Sequence, residues 1–443
     1  MDKQLQEFLK QEEKRQKETI TLIPSENYAS RAVREAVGSV LSNKYSEGYP
    51  GRRYYQGNRI VDEIEKLAVD RAKKLFGTPH ANVQPYSGSP ANYEVLFALI
   101  KPGDPIMGME LPSGGHLTHG QPKVTFSGEY FGSHQFGVKE DGRLDYAEIE
   151  RLAIEHKPKV MLIGTTAYPL TLDWEKFGAI AERVGAWFVA DIAHVAGFIV
   201  GGVYPSPVPF AHIVTTTTHK TLRGPRGAMI MVTQKGLDQD AELAEKIDRA
   251  VFPGIQGGPH DNTTAGIAQC LYEAAQPEFT EYVKRVMKNA QVLADTLQGG
   301  ETPVRSRLAG LTLVGGGTES HLVLVDLRPQ GLSGNVVAEA LEVCGIVTNR
   351  NSVPGDTSPF YPSGIRLGTP AVTTRGMSGE QMLDIGGWII RVIEHVREER
   401  LPENKEERQV FLRDFKKRIW KDEILLGIAG EVRELCRKFP VPD

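Results

Sequence analysis

Cysteine is scarce: Cys270, Cys344 and Cys436 are the only three in 443 residues. An odd number without metal-ligand spacing excludes a disulfide framework and gives no metal site. Buried free thiols in a reducing, cytoplasmic setting are expected instead. Long apolar runs are missing as well. The best candidate, "WFVADIAHVAGFIVGGV", is broken by Asp191 and His194, short of the roughly 18 apolar residues a membrane span needs. The N-terminal "MDKQLQEFLKQEEKRQKETI" is polar and helical, with no apolar core of a signal peptide. Neither charge dominates: 52 Lys and Arg face 56 Asp and Glu, a net of −4. That balance removes nucleic acid and anionic membranes as expected partners. Four common motifs are absent: GxxxxGK[ST], GxGxxG after a strand, HExxH and GxSxG. Their absence argues against an NTPase, a standard dinucleotide enzyme, a zincin and an α/β-hydrolase.

What is present is a folded chain, 40% hydrophobic and 24% charged, and too long for one ordinary core. From Ala81 to about Val232, short apolar runs such as "VMLIGTTAY", "WFVADIAH", "HIVTTTTHK" and "AMIMV" alternate with amphipathic stretches such as "EKFGAIAERVGA". Alternation of this kind predicts an α/β fold with a largely parallel, doubly wound sheet. "IVDEIEKLAVDRAKKLFG" has helical spacing and ends in glycine, a stop signal. Near residue 280 the pattern changes to a long helix, then "HLVLVDL" and "GIVTN". The expected division is an N-terminal helical arm over 1–45, a large α/β domain over 46–279 and a smaller α+β domain over 280–443.

Three features fall where strands of such a sheet should end, the edge where α/β proteins bind ligands. Ser87, Gly88 and Ser89 precede an amphipathic helix; they fit either a helix cap or a cradle for phosphate. Asp191 follows the apolar "AWFVA" and needs a partner, either an ion pair or cap, or a heterocyclic nitrogen that it keeps protonated. Lys220 sits in "TTTTHKTLRGPRG". It is either solvated or partly desolvated beside Arg223 and Arg226, and the second setting lowers its pKa toward the neutral nucleophile of a Schiff base. A phosphate cradle, a buried acid and an activated amine together are what pyridoxal phosphate requires.

The segments "LIPSENYAS", "NKYSEGYPGRRYY", "SGSPAN", "GGHLTHG", "DIAHVAG", "VYPSPVP", "TTTTHKTLRGPRG", "VFPGIQGGP", "NSVPGD" and "SGIRLGTPA" occur in this order. Together they resemble the serine hydroxymethyltransferase family over essentially the whole chain. The resemblance implies the aspartate-aminotransferase-like fold (fold type I), with a mainly parallel seven-stranded sheet in the large domain. It also implies pyridoxal 5′-phosphate as cofactor, a homodimer or dimer of dimers, and exchange of a one-carbon unit between serine and tetrahydrofolate, with glycine as the product. A folate-independent aldolase acting on threonine-like β-hydroxy amino acids is the alternative on the same fold.

Carried over residue by residue, the resemblance makes Lys220 the Schiff-base lysine and Asp191 the partner of the pyridine nitrogen. It places His194 near the phenolic oxygen, stacks His116 on the ring, and adds Thr166 and Thr217 to the cofactor contacts. Ser87, Gly88 and Ser89 become the phosphate cradle, joined by Gly257 and Gly258 from a neighbouring subunit. His219 influences reaction specificity, and Arg366 grips the substrate carboxylate with a planar fork suited to that task. Ser25, Tyr45, Glu47 and Tyr55 become substrate-site residues, some reaching across the dimer interface, with Glu47 moving the proton, assisted by Tyr55. Leu111, Gly115, Leu117, Asn351, Ser358, Pro359 and Phe360 fall where family members contact folate. No metal is implied. Departures cluster at the cofactor rim: Tyr86 stands where the family often has histidine, and Pro24, Pro90 and Thr166 replace alanine, glutamine and serine. "LPSGGH", "QGNR" and "PHDNTT" also differ.

Overall fold

The computed structural model describes residues 1–300, 310–358 and 360–442. Its centre is a seven-stranded sheet whose strands in chain order are β1 (His80–Asn82), β2 (Pro105–Met109), β3 (Gly132–Phe136), β4 (Val160–Gly164), β5 (Trp187–Asp191), β6 (Ile213–Thr217) and β7 (Ala228–Val232). In space they run β1-β7-β6-β5-β4-β2-β3. Only β7 is antiparallel to its neighbours, β1 and β6; the remaining pairs are parallel. This is the mainly parallel α/β sheet of the expected fold class.

Strands β4, β6 and β7 are buried at every residue because helices cover both faces. Along β4, Met161 and Ile163 enter one core cluster while Val160 and Leu162 enter another on the opposite face. Along β5, Phe188 and Ala190 take the first side and Val189 the second. Phe188 is fully buried against Trp174 and Phe177. Phe188→Ala is therefore expected to cost about 3–5 kcal/mol in a urea melt. A value under 1 kcal/mol would show that the cluster repacks around the gap.

"EKFGAIAERVGA" lies in the helix Trp174–Val184, which buries Phe177, Ile180 and Ala181. Gly77 closes the helix Arg59–Phe76 with φ 71°, a left-handed cap. The long helix near residue 280 is Pro277–Leu297. Beyond it a four-stranded sheet contains Leu322–Asp326, the strand expected from "HLVLVDL", beside Gly364–Gly368. "GIVTN" divides: Ile346–Val347 pairs in parallel with Ile20–Thr21, and Asn349–Asn351 joins the four-stranded sheet. Ile20 and Leu22 accordingly lie in the C-terminal core cluster. All three cysteines are buried and unpaired.

Candidate active site

The run of four threonines has a physical explanation. β6 enters the sheet interior, where every hydroxyl must find an acceptor. Thr215 Oγ1 donates to Asn92 Oδ1 at 2.7 Å, Thr216 Oγ1 to Thr217 O at 3.0 Å, and Thr218 Oγ1 to Pro225 O at 2.7 Å. The last bond, with Gly224 N donating to Thr218 O at 2.7 Å, ties the Gly/Pro turn back to the strand. Thr217 Oγ1 donates to Ala193 O at 3.5 Å and accepts from Lys220 Nζ at 3.2 Å. Two of the four hydroxyls, those of Thr217 and Thr218, thus hold the lysine loop in place.

Lys220 forms no ion pair among the described residues. Its amine is pushed down from 10.5 to about 8, by burial first. Arg366 and Arg226 lower it further, and Asp191 opposes them. Arg223, expected among the neighbouring cations, lies elsewhere: its guanidinium sits 4.1 Å over the Tyr282 ring. The second cation is Arg366, from the C-terminal sheet.

Asp191 ends β5 beside the lysine loop, paired in register with Thr215. Its Oδ2 accepts from Asn92 Nδ2 at 2.8 Å and pairs with His119 Nε2 at 3.1 Å, and its Oδ1 accepts from Ala193 N at 3.0 Å. Burial raises its pKa, but the His119 bond and the fields of His119 and His116 outweigh this and hold the carboxyl well below the usual range. It stays ionised without an ion pair to lysine or arginine. His116 is fixed by Thr118, whose backbone N donates to its Nδ1 at 3.2 Å. Burial, then His119, lowers its pKa to about 4, so the ring is neutral.

His194 Nδ1 lies 3.2 Å from His321 Nε2, a contact joining the large sheet to the C-terminal one. Burial, with Lys220 and His321, keeps His194 well below the usual imidazole range. His219 is lowered to about 3 by burial, then by Lys220 and Arg226. With Ser25 and Arg226 it lines an open cavity of about 640 Å³. Neither His119 nor His321 stands out in the sequence. Their partners lie 72 and 127 residues away, and a lone buried histidine carries no signal of its own.

Arg366 reaches in from the strand Gly364–Gly368. It donates through Nη1 to Thr166 O and through Nε to Asn349 Oδ1 at 3.1 Å. Burial lowers it from 12.5 to about 10, and among the described residues no carboxylate pairs with it. A desolvated guanidinium held by two neutral oxygens is a receptor for an anion.

At the start of the helix Gly88–Leu99, the Ser87 hydroxyl makes no capping hydrogen bond. It is left available beside the first backbone N–H groups of a twelve-residue helix. A Cβ on Gly88 would lie 2.8 Å from Thr217 Cγ2, so the helix start closes directly onto the lysine loop.

A second group of expected residues gathers elsewhere. The rings of Tyr45 and Tyr55 meet edge to face at 5.1 Å. A Cβ on Gly258 would lie 3.0 Å from Tyr45 Cζ, and one on Gly257 would lie 3.3 Å from Glu47 Oε1. Arg53, only 4% exposed, donates to Ser46 O and Gly48 O at 2.8 Å, bracketing Glu47, and pairs with Asp62 and Glu65. Among the described residues, no hydrogen bond, ion pair or ring contact joins Tyr45, Glu47 or Tyr55 to Lys220, Asp191 or Arg366. The residues expected to contact folate also fall in two places. Leu111 and Leu117 begin the two tight turns that flank Gly115 and His116. Asn351, Ser358 and the 74%-exposed Phe360 lie on and beyond the edge strand Asn349–Asn351. Pro359 lies outside the described residues.

The donor set fits pyridoxal phosphate. A buried amine poor in protons stands beside an ionised acid, and a neutral histidine and an uncommitted serine at a helix start complete the cleft. The acid ends β5, the amine follows β6, His116 follows β2, and Ser87 begins the helix that closes on Thr217. Fold and site together define a pyridoxal-phosphate-dependent enzyme of fold type I.

A family model described as serine hydroxymethyltransferase matches residues 1–389. The chain is 51% identical to "Serine hydroxymethyltransferase" of Acidothermus cellulolyticus, covering all of this chain and 96% of the relative. It is 50% identical to the protein of the same name from Desulfotalea psychrophila, covering all of this chain and 95% of that one. The chain belongs to the serine hydroxymethyltransferase family, whose members depend on pyridoxal 5′-phosphate and use tetrahydrofolate as co-substrate.

Proposed function

We propose that Lys220, Asp191 and Arg366 of one subunit work with Glu47, Tyr45 and Tyr55 of a second to carry the family's reaction. That reaction converts L-serine and tetrahydrofolate reversibly to glycine and 5,10-methylenetetrahydrofolate. The observation that carries this reading is a pair of buried cations, Lys220 and Arg366, that have no carboxylate partner among the described residues, with an ionised Asp191 acting on the first. An α-amino acid brings the carboxylate that Arg366 lacks.

When bound, pyridoxal phosphate supplies an aldehyde for an amine to capture and a ring that takes up electrons as the serine Cα–Cβ bond breaks. Lys220 Nζ is the amine that would hold the aldehyde. At about pH 7 roughly one such amine in ten is neutral, against about one in three thousand for an ordinary lysine. Asp191 would keep the ring nitrogen protonated, and the Asn92 and Ala193 donors with the His119 contact fix its orientation. His116, held by Thr118, presents a neutral face to the ring. Ser87, Gly88 and Ser89 would take the phosphate. Arg366 orients serine by its carboxylate, and Glu47 moves the proton of the serine hydroxyl.

The second copy is supported by exposure around the Glu47 group. Val40, Tyr45, Tyr54, Tyr55 and Ile60 are 81%, 53%, 72%, 47% and 61% exposed, a concentration of apolar surface beside catalytic candidates. The helix Lys3–Glu18 adds Leu5, Phe8 and Leu9 on one face and buries no residue of its own. The division into an arm over 1–45, a large domain over 46–279 and a small domain over 280–443 belongs to the same proposal, as does a cytoplasmic setting, which the three unpaired buried thiols favour.

Two outcomes check the assignment. Purified protein should turn over serine only when tetrahydrofolate is present; equal serine cleavage without it would remove the folate role. Capture of pyridoxal phosphate by cofactor-free protein, followed by absorbance, should speed up about tenfold per pH unit below about pH 8 and level off above it. A rate still rising steeply past pH 9 would mean that the capturing amine is not depressed.

A further inference from the structure

Tyr86 adjoins the phosphate cradle in sequence, and its side chain is committed to the Gly258–His260 segment. Its neighbours Ser87 and Gly88 begin the helix that closes on Thr217 and hence on Lys220. Its own Oη donates to Gly258 O at 2.8 Å, and its ring stacks on His260 at 4.1 Å between centroids and 8° between planes. The backbone is fastened to the same turn. Tyr86 N donates to Gln256 Oε1 at 2.8 Å, and Gln256 Nε2 donates to Gln84 O at 2.9 Å. Three hydrogen bonds and one stack thus clip Gln256–His260 to Gln84–Tyr86. The clipped turn is the one that Tyr45 presses upon, on the half-exposed face that holds Glu47. Tyr86 and His260 both belong to segments that depart from the family pattern, and the structure shows those departures packed on each other.

We propose that Tyr86 and His260 are positioning residues that fix the Gly257–Gly258 turn, so that each chain's Tyr86 governs phosphate binding in a second copy's cofactor site rather than in its own. The inference rests on the two-chain site proposed above. The turn packs against Tyr45 and Glu47, the group assigned above to the second copy, and Gly257 at its tip is exposed. Loss of the Oη bond would leave Gly258 free to drift under Tyr45. Phosphate affinity would then suffer in the opposite site, while the aldehyde and ring contacts stay intact.

The test compares pyridoxal phosphate with pyridoxal, which lacks the phosphate, by absorbance titration with borohydride trapping. In Tyr86→Phe and in His260→Ala, affinity for pyridoxal phosphate should fall about three- to tenfold, what one lost hydrogen bond or one lost ring stack is worth, and affinity for pyridoxal should not change. Mixed dimers then locate the effect. With Lys220→Ala and Tyr86→Phe together on one chain and a parent partner, the single remaining lysine site should show the weakened affinity. With the two substitutions on opposite chains, the remaining site should bind as the parent does. The reverse pattern would place Tyr86 in its own chain's site and overturn the proposal. So would equal losses for both ligands, which mark a merely structural role, or no loss for either. If the parent protein is a monomer or traps no pyridoxal phosphate, the two-chain reading itself fails, a result distinct from any difference between variants.

Discussion

Lys220→Met should leave a protein that melts at a higher temperature than the parent when both are free of cofactor, and that has lost serine turnover by at least ~10³-fold. The methionine side chain fills nearly the same volume without an amine. It removes the amine proposed to capture the aldehyde, so borohydride should no longer fix the cofactor to the peptide containing residue 220. The stability gain has a separate cause. The folded chain lowers this amine from 10.5 to about 8, chiefly by burying it. A shift of that size destabilises the folded form by a few kcal/mol wherever the amine is protonated in both states. Below about pH 8 the full cost is present in the parent. Between pH 8 and 10.5 the unfolded chain still holds the proton that the folded chain has lost, so parent stability rises with pH and the gap to Lys220→Met closes. Calorimetry at pH 7 and pH 10 measures both ends. A variant less stable than the parent at pH 7 would mean that the Thr217 contact and the field of Asp191 outweigh burial.

The sheet was legible because its central strands are buried on both faces: "VMLIG", "WFVA" and "AMIMV" leave no polar face to hide a different element. Gly132–Phe136 escaped notice because "GSHQF" is a mostly polar edge strand, where solvent replaces one neighbour. His80–Asn82 escaped because three residues show no period. In the site, Asp191 stands out as a charge at the end of an apolar strand and Lys220 as one in a Gly/Pro turn after a buried strand, signals visible within ten residues. His119 and His321 showed no such signal. Their significance comes from contacts with Asp191 and His194 made only when distant strands align. The cation beside Lys220 was misplaced for the same reason. Arg223 is near in sequence but lies against Tyr282, while Arg366 arrives from the other sheet. The separation of Glu47 and Tyr45 from the lysine is a fact of tertiary structure, and local pattern in the chain holds no trace of it.

Arg366→Leu should separate recognition of serine from the chemistry performed on it. In the parent, the guanidinium is buried and donates to the Thr166 carbonyl and the Asn349 amide oxygen, two neutral acceptors from different sheets. Neither compensates its charge, which is why burial lowers it to about 10. A substrate carboxylate entering there gains a charge-assisted, forked contact in a dry site, and truncating one partner of such a pair costs about 2–5 kcal/mol. That corresponds to a fall of roughly 30- to 5,000-fold in kcat/KM for serine. Leucine leaves no unpaired charge behind, so the fold is expected to tolerate the change. The discriminating measurement uses 2-aminoethanol, which keeps the amine and hydroxymethyl group but lacks the carboxylate. The parent should favour serine over it by the same large factor, and Arg366→Leu should favour neither. Arg366→Lys keeps a charge but loses the planar fork, and should fall between the two. If Arg366→Leu retains the parent's preference for serine, the carboxylate is held by some other group, with Ser25 the first to examine. The buried guanidinium would then be a strut between the two sheets, and its removal should show as lost stability with little change in selectivity.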